Sequence, residues 1–335
     1  MIRILVQGDS MEQIAAQLAE LNEKFGLTRV TAIIPGADAV RPTPQVADAP
    51  SAEAPAKRGR PAKAVTELKA EAPAVAQAPA PAPAPALTSN VGIVSEYVFR
   101  GIRQTWGNPA LQGGVDYAHE SGFYAGAWLS NTSANLYANA NIEVDLYGGY
   151  RGAVDDFSYD VGVLQFLFPG ANYDKITPAG SYASKRYNST ELYLSGTWKW
   201  LNVKYSRAMT DVGYFGFNNN NAGPGAFPGN PGAGVSGSDT SGSWYIEANA
   251  SYEFLPGWTG SLHAGRQTIT HSTGLSYSDY KAGVTKTMDG GWVLGLAYTT
   301  TVGTDYWKNY PSVAGNGTTK DMGAGTWIAS VNRTF

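Results

Sequence analysis

Few side chains in the sequence could act together as catalysts. The chain has no cysteine and three histidines, His119, His263 and His271. Without thiols it can form no disulfide and lacks the commonest structural zinc ligands. Ser261 lies two residues before His263, so on a strand the two would share one face, as a nucleophile and its base require. We interpret the pair as structural residues with no joint role, and we expect no enzymatic activity, metal site or cofactor.

A short basic run lies within a proline-rich segment near the start of the chain. Residues 57–63 read KRGRPAK, and this run resembles an AT-hook, an arm that enters the minor groove of DNA. The formal net charge of the whole chain is −3, which gives no general attraction to nucleic acid. We interpret Lys57 to Lys63 as a solvated basic patch and do not expect nucleic acid as a partner. DNA binding by residues 1–86 is the alternative.

Charged residues alternate with apolar ones from about residue 87 onward. Glu143 and Asp145, for example, alternate with Ile142, Val144 and Leu146. Because successive side chains of a strand point to opposite faces, one face of the predicted sheet is charged and the other is apolar. The charged face is predicted to carry Glu96, Arg100, Asp116, Glu143, Asp145, Asp160, Glu191, Lys199, Lys204, Glu247, Asp279 and Lys281.

Three regions of different composition carry these residues. Residues 1–35 have the pattern of a small β-α-β unit, with Ser10 as a helix N-cap and Gly26 as a C-cap. Residues 36–86 are rich in alanine and proline and predict a disordered, partly polyproline-like linker. Residues 87–335 contain only strand-like patterns. Charged residues make up 15% of the whole chain, with 40 Gly and 20 Tyr, a composition typical of β proteins with many turns.

Twelve strands are predicted in residues 87–335, and most have the length that crosses a bilayer at a tilt. Their ranges are 90–102, 110–119, 122–130, 140–151, 157–167, 189–200, 201–211, 243–254, 258–269, 277–287, 291–302 and 325–335. Short and long connections alternate along this series. That alternation is typical of an up-and-down antiparallel transmembrane β-barrel, with tight turns at one end and long loops at the other.

The apolar face is predicted to contact outer-membrane lipid and the charged face to line a lumen. Predicted lipid-facing residues include Ile93, Tyr97, Phe99, Leu194 and Trp198. Charged side chains in a barrel interior must be paired or hydrated. A barrel of twelve strands lies between the small barrels that side chains fill and the wide porins, so the lumen is expected to be narrow. Its excess of acids weakly favours cations.

The final strand and the start of the chain bear on how such a barrel would reach its membrane. Trp327, Val331 and the terminal Phe335 share the apolar face, the pattern by which barrel-assembly machinery recognises a last strand. We predict that they form the membrane-insertion signal. The start, MIRILV, lacks the apolar core of a signal peptide. An outer-membrane location is expected, with an export route that the sequence does not specify.

Several motifs resemble a known family. These are residues 95–102 (SEYVFRGI), 111–117 (LQGGVDY), 122–126 (GFYAG), 145–150 (DLYGGY), 190–193 (TELY), 204–206 (KYS) and 331–335 (VNRTF). As an ordered set they are similar to the TorF-type porins, a family also labelled Gcw_chp, over about residues 87–335. The resemblance implies a bacterial outer-membrane barrel with a porin role.

Together these patterns predict a porin-like channel for passive diffusion of small hydrophilic solutes or ions. One alternative is a structural or adhesion barrel that works through its long loops, of which residues 212–242 are the longest. Another is a hydrolase built into the barrel around Ser261 and His263.

Overall fold

The computed structural model describes residues 86–209, 213–224, 232–303 and 305–335. The predicted β-α-β unit, the linker and the basic run all lie outside these residues, except for the last position of the linker. In the described part of the chain, no helix is long and apolar enough to cross a membrane.

Twelve antiparallel strands form one closed barrel. They are β1 (Ala86–Val94), β2 (Ala110–Ala118), β3 (Phe123–Asn131), β4 (Ile142–Val154), β5 (Phe157–Leu167), β6 (Ser189–Trp198), β7 (Leu201–Ala208), β8 (Trp244–Leu255), β9 (Trp258–Thr268), β10 (Tyr277–Thr287), β11 (Trp292–Val302) and β12 (Thr326–Thr334). Each strand pairs with the next, and β12 closes the barrel on β1 with Ile93 opposite Val331. The predicted fold class and strand count are therefore confirmed.

Short turns join the strands at one end of the barrel. Leu255 pairs with Trp258, which leaves Pro256 and Gly257 as a two-residue turn. Gly257 has φ +75°, a conformation that glycine adopts without steric cost. We call this the turn end. The opposite, loop end carries the long connections, whose described residues contain three short strand pairs and one 3-10 turn, Tyr173–Lys175.

The outer surface of the barrel is a belt of exposed apolar side chains. Four leucines near the middle of their strands are at least two-fifths exposed: Leu146, Leu194, Leu262 and Leu296. A soluble protein would bury such residues, because exposure of apolar surface to water is unfavourable. A bilayer satisfies them, and the closed ladder leaves no strand edge unpaired in lipid.

The first strand is shorter than predicted. It ends at Val94 instead of residue 102 because Arg100 and Gly101 form a turn with φ +46° and +74°. Phe99 pairs across this turn with Ile102, so residues 95–105 fold back on themselves. We call this segment the inner hairpin. Tyr97 and Phe99, predicted to face lipid, are instead buried, with 0% and 7% exposure.

Candidate functional site: the barrel interior

The inner hairpin is held across the barrel interior by Arg100 at its tip. The guanidinium donates to both carboxylate oxygens of Glu191 on β6, at 2.8 and 2.6 Å, and to Gln267 Oε1 on β9, at 3.1 Å. It also stacks over the rings of Phe99 and Tyr245, at 4.7 and 4.3 Å. The charge is thus paired, hydrogen-bonded and stacked, the conditions under which an ion pair tolerates burial.

Further contacts fix the base and side of the inner hairpin. Arg103 donates to Glu96 Oε2 at 2.6 Å, so these two charges are paired within the hairpin. Thr301 Oγ1 donates to the carbonyl oxygen of Gly101 at 2.9 Å. Just beyond the hairpin, Lys320 Nζ donates to the carbonyl oxygen of Trp106 at 2.9 Å. The hairpin is therefore tied both to the wall and to the long loop before β12.

Aromatic side chains from the loops close over the hairpin at the loop end. Phe99 packs edge-on against Phe166 and Phe215, with ring centroids 5.4 and 6.1 Å apart. Tyr137 stacks on Phe168 at 4.0 Å. Further buried rings of this layer are Tyr173, Tyr187, Tyr214, Phe217, Tyr306, Trp307 and Tyr310. We call this set, with the rings above, the aromatic layer. The aromatic layer fills the barrel interior at the loop end with packed rings.

The polar interior below the hairpin is a connected hydrogen-bond network. Tyr245 donates to Asp279 Oδ1 at 2.9 Å. The ring of His263 meets Asp279 Oδ2 through Nε2 at 2.8 Å and Asn249 Oδ1 through Nδ1 at 2.6 Å. Both ring nitrogens of His263 are therefore engaged. Ser261 Oγ donates instead to the carbonyl of Gly283 at 3.4 Å, so this geometry gives His263 no free nitrogen to activate Ser261.

A second part of the network lies on the other side of the interior. Tyr124 donates to Asp160 at 2.5 Å and also hydrogen-bonds the hydroxyl of Tyr193. The ammonium of Lys204 lies over the Tyr193 ring at 4.3 Å. Tyr147 donates to Asp116 at 2.5 Å. Most interior charges thus have a named partner, as burial requires.

Glu143 and Asp145 on β4 differ from the other interior acids. Their exposed fractions are 2% and 0%. Neither oxygen of Asp145 receives a hydrogen bond, and neither does Oε2 of Glu143. Cross-strand pairing places Trp128 and Phe166 on either side of Asp145. Asp145 therefore lies between two rings, and both of its oxygens and one oxygen of Glu143 lack protein donors.

The structure places most of the predicted charged face inside the barrel, with three departures. Those on inward-facing strand positions are Asp116, Glu143, Asp145, Asp160, Glu191, Lys204, Glu247, Asp279 and Lys281. Glu96 and Arg100 are also inside, but on the inner hairpin and not on the first strand. Lys199, predicted to face the lumen, does not lie on an inward-facing strand position. It lies in the turn between β6 and β7 with φ +57°, and its side chain is 52% exposed beside Asp156.

Sequence reasoning missed the neutral members of the interior network. Tyr245, Gln267 and Asn249 lie on the same strand faces as the charged residues, at alternate positions to the lipid-facing ones. Their position in the alternation was visible in the sequence. Their role was not, because tyrosine and glutamine also occur on outer faces and in turns.

The predicted insertion signal lies on the outer surface of the last strand and the end of the chain. Trp327, Val331 and Phe335 have exposed fractions of 65%, 42% and 61%. The guanidinium of Arg333 stacks over the rings of Phe335 and Trp292, at 4.6 and 5.1 Å. This contact keeps the charge at the turn end of the barrel, where it reaches the interface.

Within the described residues, no group of three or more His, Asp or Glu side chains is arranged to hold a metal ion. Any cation in this interior would have to be held by fewer carboxylates, supplemented by hydroxyl or main-chain oxygens.

Comparisons with known proteins add a family and a general likeness. No curated protein is similar enough in sequence to be matched. Solved structures with a similar course include the KdgM porin in complex with disordered oligogalacturonate (9% identity, TM-score 0.42, covering 75% of this chain and 99% of that chain). The NanC porin has 10% identity and a TM-score of 0.42 over 75% and 99%. The COG4313 outer membrane channel from Pseudomonas putida F1 has 11% identity and a TM-score of 0.39 over 76% and 97%.

Similarities this weak carry no argument about function, so the functional argument rests on the geometry of the barrel. The family model, by contrast, matches most of the chain. The model described as "Bacterial protein of unknown function (Gcw_chp)" matches residues 77–335, which include the whole barrel. The match carries the Gcw_chp label and leaves the TorF-type label an interpretation. The chain belongs to the Gcw_chp family of bacterial proteins.

Proposed function

We propose that this chain is a bacterial outer-membrane channel for small hydrophilic solutes or ions, with a narrow, charge-lined lumen. The observation that supports it best is the closed barrel of twelve strands with an apolar belt outside and charged side chains inside. Charged interiors are retained where water or permeating ions contact them. A barrel that only anchored a surface structure would not need them.

The lining below the inner hairpin is the part of the lumen proposed to contact solutes. Lys204, Glu247 and Lys281 face inward there and are partly exposed. Lys204 and Glu247 lie directly opposite each other on β7 and β8. The passage would be narrowest at the inner hairpin, because Arg100 reaches from the end of β1 to β6 and β9.

Single-channel conductance of the full chain, refolded into a planar bilayer, tests this function. We expect small steps whose ion selectivity changes when Glu247 is replaced by Gln and in the opposite sense when Lys204 is replaced by Gln. An exposed control, Asp305→Asn, should leave selectivity unchanged, because Asp305 lies in a loop with its side chain 71% exposed. Heat resistance of the folded band on a gel verifies each barrel. Properly folded barrels without conductance would refute the channel.

One observation favours a second function. The inner hairpin and the aromatic layer fill the barrel interior at the loop end. In a wide porin that space is an open, water-filled channel. A structural or adhesion barrel working through its loops would have the same filling. The two functions differ in the response to release of the hairpin, since only a channel would then conduct more. The hydrolase alternative receives no such support.

A further inference from the structure

We propose that Glu143 and Asp145, with the hydroxyl of Tyr97, form a binding site for a hard divalent cation such as Ca²⁺ beneath the inner hairpin. The site does not depend on conduction, and it would exist in a structural barrel as well.

The first support is the burial of two neighbouring acids that have no basic partner in the described part of the chain. Glu143 and Asp145 lie two residues apart on the same face of β4. The charged neighbours of Asp145 are acids, Glu143 and Glu191. Enclosed carboxylates without donors are costly unless a cation or protons neutralise them. Among the residues that the structure describes, no arginine or lysine acts on either carboxyl closely enough to offset its charge.

Arg100, at the tip of the inner hairpin, is already paired with another acid. Arg100 places both terminal nitrogens of its guanidinium on the carboxylate of Glu191. One of those nitrogens also donates to Gln267. Turning Arg100 toward Asp145 would break a bidentate pair and expose Glu191 to the same penalty. The negative charge of Glu143 and Asp145 therefore exceeds what the fold itself compensates.

A second, independent group points at the same place. Tyr97 belongs to the inner hairpin, is 0% exposed, and its hydroxyl makes no hydrogen bond of standard geometry. The hydroxyl lies beside Glu143 and Asp145, and a phenol offers a neutral oxygen to a cation. The Tyr97 ring packs edge-on against Trp128 at 5.4 Å, the residue that pairs with Asp145 across the strands.

The oxygen set decides the class of ion. Carboxylate and hydroxyl oxygens, with no imidazole or thiol, are ligands for Ca²⁺ or Mg²⁺ and poor ligands for zinc or copper. Two carboxylates balance two positive charges. A cation here would bridge the wall, through β4, and the inner hairpin, through Tyr97. The bound ion would therefore hold the hairpin in the closed position.

Terbium luminescence tests the site in the refolded full chain, in a zwitterionic detergent and phosphate-free buffer. Tb³⁺ occupies Ca²⁺ sites and emits when an adjacent aromatic ring transfers excitation energy. Trp128 is paired directly with Asp145, so bound Tb³⁺ should emit on tryptophan excitation. Excess Ca²⁺ should remove at least about four-fifths of that emission.

Two double variants complete the test. Glu143→Gln with Asp145→Asn should weaken Tb³⁺ binding by at least about tenfold. Asp155→Asn with Asp156→Asn removes the same charge at an exposed turn and should leave binding unchanged. Equal emission from all three proteins would overturn the site, as would wild-type emission that Ca²⁺ does not compete.

A thermal readout covers variants that fold poorly. Ca²⁺ should raise the melting temperature of the wild-type barrel by mass action, and Tyr97→Phe, which removes one ligand atom, should reduce that rise. No rise in the wild-type protein would show that the two carboxyls are neutralised by protons alone and would refute the cation site.

Discussion

Replacing Arg100 by Ala should open the loop end of the barrel. The guanidinium is 6% exposed and its partner Glu191 is 5% exposed, so the substitution leaves a buried carboxylate without its counter-charge. Removing one partner of such a pair costs roughly 3–5 kcal/mol. The lost stacking over Phe99 and Tyr245 adds to that cost. At about 1.4 kcal/mol per factor of ten, release of the inner hairpin becomes about 10²–10⁴ times more favourable.

The assay is single-channel recording of the refolded full chain beside heat resistance on a gel. We expect Arg100→Ala to increase the open probability or step size at least tenfold, while the folded band persists. Lys308→Ala is the matched control, because its ion pair with Asp305 is exposed and should have no measurable effect. Combining Arg100→Ala with Glu191→Ala should restore part of the closed state, since the second change removes the orphaned charge. If Arg100→Ala and Lys308→Ala behave alike, the closing role of the inner hairpin is wrong.

Three further perturbations separate the wall, the interior network and the loops. Leu194→Arg, near the middle of β6 on the outer face, should destabilise the barrel in lipid by about 2–4 kcal/mol, and Leu111→Arg at a strand end by no more than about 1 kcal/mol, both measured by urea unfolding in vesicles. Tyr245→Phe removes the bond to buried Asp279 and should cost about 1.5–3 kcal/mol in the same experiment. Burial raises the pKa of Tyr214 to about 12. Because this pKa is higher in the folded than in the unfolded protein, burial of the neutral phenol contributes its full stability below about pH 10. That contribution is lost as the pH rises through 12. The difference in phenolate absorbance between the wild-type protein and Tyr214→Phe should therefore rise only near pH 12, at the pH where the loops loosen.

The wall of the barrel could be predicted from the sequence because its signal is local. Alternation within each strand gave the outer and inner faces, and proline or glycine marked most turns. The β5 bounds, 157–167, and the β10 bounds, 277–287, coincide with the prediction. A one-residue slip would turn every lipid-facing side chain inward, so such patterns strongly specify the wall.

The interior could be predicted only as a list of charges. Alternation continues through Tyr97 and Phe99, so no local pattern indicates that the chain leaves the wall after Val94. Arg100 and Gly101 make the turn, but an arginine before a glycine is not a specific turn signal. The partner of Arg100 lies 91 residues away. Which charges meet therefore depends on the packing of the whole barrel, and local patterns do not contain that information.

The closing of the loop end is separable from the wall. A barrel of twelve strands encloses more space than its inward side chains fill, and the inner hairpin and aromatic layer occupy that space at one end. Within the hairpin, Val98 pairs with Arg103 and Phe99 with Ile102, and β1 completes its wall pairing by Val94. The hairpin's main-chain bonds to the rest of the barrel include Ser95 N–H to the carbonyl of Ala329 and Arg103 N–H to the carbonyl of Met322. Withdrawing the hairpin would break these bonds and the side-chain contacts of Arg100, Tyr97 and Thr301, while leaving every strand-to-strand ladder of the barrel intact. Substitutions in the hairpin should therefore change conductance far more than heat resistance, and substitutions on the lipid face should do the reverse.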